Sequence, residues 1–424
     1  MIKPHLYIAI PAMDENDYLP ACLDALKKQK TDFAFSVYIC VNQPESWWSI
    51  PEKRAVCERN AELIALLKEI DVLDLYVMDR SSQGQGWQGK KQGVGWARKV
   101  LFDTICVVAN EEDVIISLDA DTLFSAHYLQ SIGENFTQHD DLPVLAVPYY
   151  HPLANQNQWD TLSGVKPMMA SLQNEELNRA LLRYEIYLRN WHLNMAQIGS
   201  PYTFTALGSA IAMRVWALQK VGGITPFQSG EDFYLLQKLR KMTPLNQWNS
   251  EAVFPSGRSS QRVVFGTGKA VIQGISQQQL SYPIFHHSIF NKIMEAYHLL
   301  PKLFEKDIES TFFSFLKKQL NDSNIWSPLR KNFKTQERFE RAFHEKADGL
   351  RIFQFVRQES LTMNMPEEQI LEKNINYWLK DSGQPTPHEL FNIETPLASL
   401  PIEKLNKIRN LLWDLESKVR KQCY

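Results

Sequence analysis

Between residues 6 and 122, apolar β-favouring runs alternate with helix-period segments, and this alternation constrains the fold more than any other feature of the chain. LYIAIPA (6–12), FSVYICVNQ (35–43), LDLYVMD (73–79) and VIIS (114–117) read as strands. The segments between them read as helices: 17–29, with Leu19, Leu23 and Leu26 at helical spacing, then 52–70, then 90–105. Parallel neighbours need long crossovers, so four strands joined by three helices predict an α/β layer fold with a largely parallel sheet.

The last of these strands ends unusually, since VIISLDADT closes an apolar run on two acids, Asp119 and Asp121. Side chains at i and i+2 of extended backbone point the same way, so the two carboxylates can converge at the strand's carboxyl end, where α/β sheets bind ligands. Two such groups repel unless a cation lies between them, and Mg²⁺ or Mn²⁺ suits carboxylates shared with a diphosphate. The alternative is a plain turn, with Asp119 capping a helix at 124–132.

Composition narrows the function classes. At 424 residues and 44% hydrophobic content the chain can bury a full core spread over about two or three domains. Lys and Arg number 46 against 48 acids, so overall charge points to neither nucleic acid nor an acidic surface. Cys22, Cys40, Cys57, Cys106 and Cys423 lack CxxC spacing, which argues against a disulfide framework or a zinc ribbon and fits a reducing cytoplasm. The N-terminal apolar stretch is too short for a signal peptide and no run reaches transmembrane length. Peripheral contact with the inner face of a membrane stays open.

From about residue 148 the pattern changes to a long helix at 172–196, a strand or turn in YTFTALGSAIAMR (202–214), and a helix opened by GEDFYLLQKLRKM (230–242). PSGRSSQRVVFGTGKA (255–270) is loop-like, and beyond His286 the chain reads as mainly helical.

Taken in order, IAIPAMDEN, LDADT, LGSAIAMR and GEDFYLLQKL resemble the family 2 glycosyltransferases with the GT-A fold, over roughly residues 5–290. The resemblance implies a Rossmann-like, mostly parallel mixed sheet flanked by helices, with a helical C-terminal extension. It divides the chain into a transferase domain at 1–285, with a nucleotide-sugar half (1–150) and an acceptor half (151–285), and a helical region at 286–424. It implies a metal-dependent, inverting transfer of one sugar from a nucleotide-diphosphate sugar to a hydroxyl acceptor, with Mn²⁺ or Mg²⁺ as cofactor. Position by position, Pro11, Ala12 and Glu15 match the part that holds base and ribose, and Asn42 stands where the family usually has Asp. Asp119 and Asp121 match the DxD motif, Asp121 being the metal contact, and Gly208 and Ser209 match the small residues beside the donor sugar. Asp232, beside Glu231, matches the catalytic base. That role also makes chemical sense: an attacking hydroxyl needs a base, and a leaving diphosphate needs positive charge. Acids in a first helical turn also serve simply as caps.

Three further features extend this reading, each beside a structural alternative. Arg258, Arg262 and Lys269 surround the glycines of 255–270 and can close over a diphosphate, or form a solvated turn. The absence of QxxRW predicts single addition rather than polymerisation. His286 is placed to complete the metal shell, or merely starts a helix. GQGWQG (84–89) is a literal GxGxxG that fails as a dinucleotide fingerprint because four polar residues separate it from the strand. In the transferase picture it leads through Lys91 to Arg98 near the nucleotide.

Elsewhere the plain reading leads. Tyr184, Tyr187 and Trp191 share one helix face and are expected to pack in a core rather than stack on an acceptor sugar. Ile402, Leu405, Ile408, Leu412, Leu415 and Val419 form an apolar stripe expected to pack on its own domain, with a homodimer or membrane contact as alternatives. The basic run Arg330, Lys331, Lys334, Arg338 and Arg341 reads as a solvated helix face. Two rivals remain: a sugar nucleotidyltransferase, disfavoured because PAMDENDYLP lacks its glycines and cations, and a non-catalytic nucleotide-sugar-binding relative acting through its C-terminal helices.

Overall fold

The computed structural model describes residues 3–139, 143–153, 175–227, 230–258, 282–380, 390 and 395–422. Contacts divide the chain into two compact units. The first comprises Met1–Leu181, Thr205–Gln278 and Arg420–Tyr424; the second comprises Leu182–Phe204 and Gln279–Val419. Neither is continuous in sequence.

The first unit is built on a mixed six-stranded sheet. Its strands are β1 (Leu6–Ala12), β2 (Phe35–Asn42), β3 (Leu75–Arg80), β4 (Val114–Ser117), β6 (Val144–Ala146) and β7 (Ile211–Arg214), in the spatial order β3-β2-β1-β4-β7-β6. The pairs β1/β2, β1/β4 and β2/β3 are parallel, whereas β7 runs antiparallel to both β4 and β6. Helices α1 (Leu19–Lys27), α2 (Arg54–Lys68) and α3 (Val94–Val108) make the crossovers. Every residue of β1 is buried, as expected for a central parallel strand covered on both faces, and β3 is the exposed edge, with Tyr76 47% accessible.

One small ribbon lies outside this sheet and matters most for the site. Strand β5 (Thr122–Phe124) pairs antiparallel with β8 (Val253–Pro255), Thr122 facing Pro255. The backbone N–H of Ser256 donates to the Asp121 carbonyl at 3.1 Å, so the ribbon brings residues 256–258 against the DADT turn. The expected helix at 124–132 is instead Tyr128–Gln138, because Thr122–Phe124 is taken by this ribbon. The extended geometry expected at Asp119 also gives way to a turn: β4 stops at Ser117, and the Thr122 N–H donates to the Asp119 carbonyl at 3.1 Å.

The second unit is helical in its described residues. It contains most of the helix Glu175–Gln197, then helices between His287 and Leu379, and the body of Ile402–Gln422. Its core holds Phe312, Phe313, Trp326, Phe343 and Phe355. Ser310, Thr335 and Asp348 cap three of the helices through their side chains. Trp191 meets Phe285, Phe290 and Phe353 edge-on, and Tyr187 meets Tyr282, so the aromatic face packs inward. Leu405, Ile408 and Leu412 of the C-terminal stripe are fully buried, and Lys331, Lys334, Arg338 and Arg341 are exposed. No described helix is long and apolar enough to cross a membrane.

Candidate functional site

The carboxyl ends of β1 and β4 are adjacent because these strands pair in parallel, and this brings together residues far apart in sequence. From the β1 end comes the turn PAMDEN. Asp14 there adopts a positive φ of 57° and is held by Arg59, whose Nε donates to it at 2.5 Å, while Asn60 Oδ1 accepts from its backbone N–H at 2.8 Å. Glu15 follows, 7% exposed. From the β4 end come Ser117, Asp119 and Asp121, and from the start of helix Glu231–Met242 come Glu231 and Asp232.

Two arginines organise these acids. Arg258 donates from Nη2 to both oxygens of Glu15, at 2.6 and 2.8 Å, and its Nε lies 2.8 Å from Asp121 Oδ2. Its guanidinium carbon stands 4.0 Å from the centre of the Tyr18 ring. Arg98, on the first turns of α3, reaches inward: Nη2 is paired with Asp119, Nη1 with Glu231, and Nε donates to Ser117 Oγ at 3.3 Å. Thus Glu15, Asp119, Asp121 and Glu231 share two guanidiniums, Asp232 lies within electrostatic range of Arg98, and among the described residues the cluster is acid-rich. Burial pushes the Asp119 carboxyl above its usual range, against the pull of Arg98 and with repulsion from Asp121 and Asp232. Burial raises Glu231 as well, Arg98 again opposing and Asp232 adding to the rise.

The two neighbouring acids of GED differ in position. Glu231 is 2% exposed and bound to Arg98; Asp232 is half-buried, with Oδ1 accepting from the Phe233 N–H at 2.7 Å. Gly230, at φ 77°, supplies the left-handed turn that opens the helix on these acids. Gly208 and Ser209 are buried just before β7, and a Cβ on Gly208 would collide with the Arg98 guanidinium.

Other expected site residues have structural occupations. Pro11 and Ala12 end β1, and the Ala12 carbonyl accepts from Asn42 Nδ2 at 2.9 Å. Asn42 Oδ1 accepts from Trp87 Nε1 at 3.1 Å, so Asn42 braces β1 against the loop at 84–89. That loop is stapled by Glu45, whose carboxylate accepts from the N–H groups of Gly84 and Gly86 at 2.8 Å each. Lys91 is exposed, with its ammonium over the Trp96 ring, and the structure does not join it to the acid cluster. Arg262 and Lys269 lie outside the described residues. Ser117 and Tyr18 were not anticipated; the signal for Ser117 was a hydroxyl at the end of an apolar strand, and none marked Tyr18.

His286, expected in the metal shell, has a structural role of its own. It lies in the second unit and N-caps helix His287–His298, its Nδ1 accepting from the Ser288 N–H at 3.1 Å. Burial, with His287 and Lys373 nearby, lowers its pKa to about 4. The cap thus occupies one of the two ring nitrogens. Among the described residues no three His, Cys, Asp or Glu side chains form a metal cage. Asp119 and Asp121 nevertheless fit a hard divalent cation, being oxygen donors from one turn in a cluster that is acid-rich among the described residues.

No family model matches the sequence, and no curated protein matches it. Similar solved structures include S. aureus TarS residues 1–349 with UDP-GlcNAc, at 14% identity over 99% of this chain and 91% of that one, with a TM-score of 0.39. The mannosyltransferase PcManGT from Pyrobaculum calidifontis, with GDP-Man and Mn²⁺, matches at 12% identity over 100% and 88%, with a TM-score of 0.34. Glucosyl-3-phosphoglycerate synthase from Mycobacterium tuberculosis, with Mn²⁺, UDP and glucosyl-3-phosphoglycerate, matches at 11% identity over 65% and 78%, with a TM-score of 0.37. These are distant similarities, and function has to be read from the residues of this chain.

Proposed function

We propose that the first unit is the donor site of a metal-dependent, inverting glycosyltransferase of the GT-A type, moving one sugar from a nucleotide-diphosphate sugar to a hydroxyl acceptor. The observation that carries this reading is the convergence of five carboxylates and two guanidiniums at the carboxyl ends of paired parallel strands, where such sheets bind ligands. Asp121 and Asp119 would hold Mg²⁺ or Mn²⁺, which when bound neutralises the charge of a leaving diphosphate. Arg258 sits beside Asp121 and is, among the described residues, the cation best placed to transfer its hydrogen bonds to phosphate oxygens. Asp232 is the base for the acceptor hydroxyl: it is the acid of the GED pair that is neither fully buried nor tied to an arginine in an ion pair. The proposal includes a cytoplasmic location, supported by Cys22, Cys40, Cys57 and Cys106, which are free thiols.

The test is thermal unfolding of the purified chain with UDP, GDP, CDP and dTDP, each with and without Mn²⁺. One nucleotide should stabilise the protein only when Mn²⁺ is present. A ligand at about 100 times its Kd adds about 2.7 kcal/mol, which is resolvable as a shift in Tm. No shift with any of the four would overturn the reading.

A further inference from the structure

We infer that Arg98 is a positioning residue, not a donor ligand: seated where only Gly208 leaves room, its guanidinium ties Asp119 of the DADT turn to Glu231 of GED. The inference rests on the donor-site reading above and assigns Glu231 a role apart from Asp232. Arg98 uses its planar fork on three elements at once, the end of β4 through Ser117 Oγ, the turn through Asp119, and the helix start through Glu231. The side chains of Arg98 and Glu231 are 5% and 3% exposed. To reach a phosphate, Arg98 would have to leave Glu231 buried without its partner, a heavily penalised arrangement.

The seat is shaped as closely as the pairing. Gly93, at φ 92°, opens α3, and Gly95 lets the helix press against the backbone of Phe227, where a Cβ would clash. That contact sets the first turn so that Arg98 points under Asp119, and Gly208 then supplies the space for the guanidinium. The consequence is a fixed orientation for Asp119 beside Asp121, and for the helix start that carries Asp232. A lysine cannot replace the fork, because an ammonium is a point charge without the planar geometry that serves two carboxylates.

Three variants of the full chain test this: Arg98→Lys, Gly208→Ala and Glu231→Gln. For each, titration calorimetry measures binding of UDP, GDP, CDP and dTDP with Mn²⁺, and kinetics separate kcat from KM. Groups that orient a metal-binding carboxylate typically change metal affinity or activity by about 10–100-fold, and that loss is expected in all three, including Gly208→Ala, which alters no charge. The Arg98→Lys/Gly208→Ala double variant should be no worse than the poorer single variant, since both remove the same contact. If Arg98→Lys alone weakens binding while Glu231→Gln and Gly208→Ala bind as wild type, Arg98 is a donor ligand and the inference is wrong. If all three lose thermal stability but keep wild-type Kd, kcat and KM, the triad is only architectural and the inference also falls. Should Arg98→Lys not fold, Glu231→Gln, which keeps side-chain size, decides between these outcomes. Wild-type protein that binds none of the four nucleotides overturns the donor-site reading and this inference together; wild-type binding with unaffected variants overturns this inference alone.

Discussion

The two units each bury charge, and they do so to different ends. In the second unit, Glu185, Arg189, Arg409 and Glu416 pair with one another. Arg189 pairs with Glu185 at 3.2 Å and Glu416 at 2.7 Å, and Arg409 pairs with Glu185 at 2.7 Å, all with side chains at most 1% exposed. Arg189 also lies 4.7 Å from the Trp413 ring. Two acids meet two arginines in these pairs. In the first unit, by contrast, five acids surround two arginines, and Asp121 and Asp232 retain access to solvent. A buried ion pair is therefore no marker of function by itself. What distinguishes the first cluster is that, among the described residues, its acids outnumber its arginines at the strand ends, an arrangement suited to a cation and a polar substrate.

This contrast can be broken experimentally. The largest effect is expected for Asp232→Ala in the first cluster, which should lower turnover by about 100- to 10,000-fold, the usual worth of a general base, while leaving calorimetric donor affinity intact. Unchanged turnover would remove Asp232 from the mechanism. Next comes Arg189→Met in the second cluster, where removing the arginine that Glu185 and Glu416 share should cost about 3–5 kcal/mol in urea unfolding, with nucleotide affinity of the folded protein unaffected. A change below about 1 kcal/mol would mean that the network behaves like a surface pair.

Asp121→Asn should abolish the Mn²⁺-dependent nucleotide shift of about 2.7 kcal/mol, yet leave the ligand-free Tm near that of wild type because it also relieves repulsion within the acid cluster. A retained shift would transfer the metal role elsewhere. The smallest effect concerns His286. Its folded-state pKa of about 4 lies below the ordinary 6.5, so its contribution to stability is complete above pH 6.5 and is lost as pH falls towards 4. His286→Gln should flatten that part of the stability profile, measured by urea unfolding at pH 7, 6, 5 and 4. An unchanged slope would assign the acid sensitivity to other groups.

Much of this molecule was legible from local pattern. Strands 6–12 and 35–42 fall where the apolar runs place them, and the crossover helices follow within a few residues, because burial of one face imposes a period that the chain itself displays. The inward packing of Tyr187, Trp191 and the C-terminal stripe was legible for the same reason. The residue types of the acid cluster could also be read, since each stands at a strand end or a helix start.

What the sequence could not contain was the pairing among those groups. Whether Asp119 and Asp121 meet one cation or two arginines depends on β5 finding β8 across more than a hundred residues, which carries Arg258 to Asp121. Whether Arg98 faces phosphate or Glu231 depends on the space left at Gly208 and on the entry of α3 against Phe227. That His286 caps a helix shows only in the structure, where its Nδ1 accepts the Ser288 N–H. By itself the sequence determined the strands, the helices and the inventory of charged groups, because propensity and periodicity act over a few neighbours. Only the tertiary structure decided which charge answers which, because ion pairing requires approach to about 3 Å between atoms that chain connectivity does not bring together.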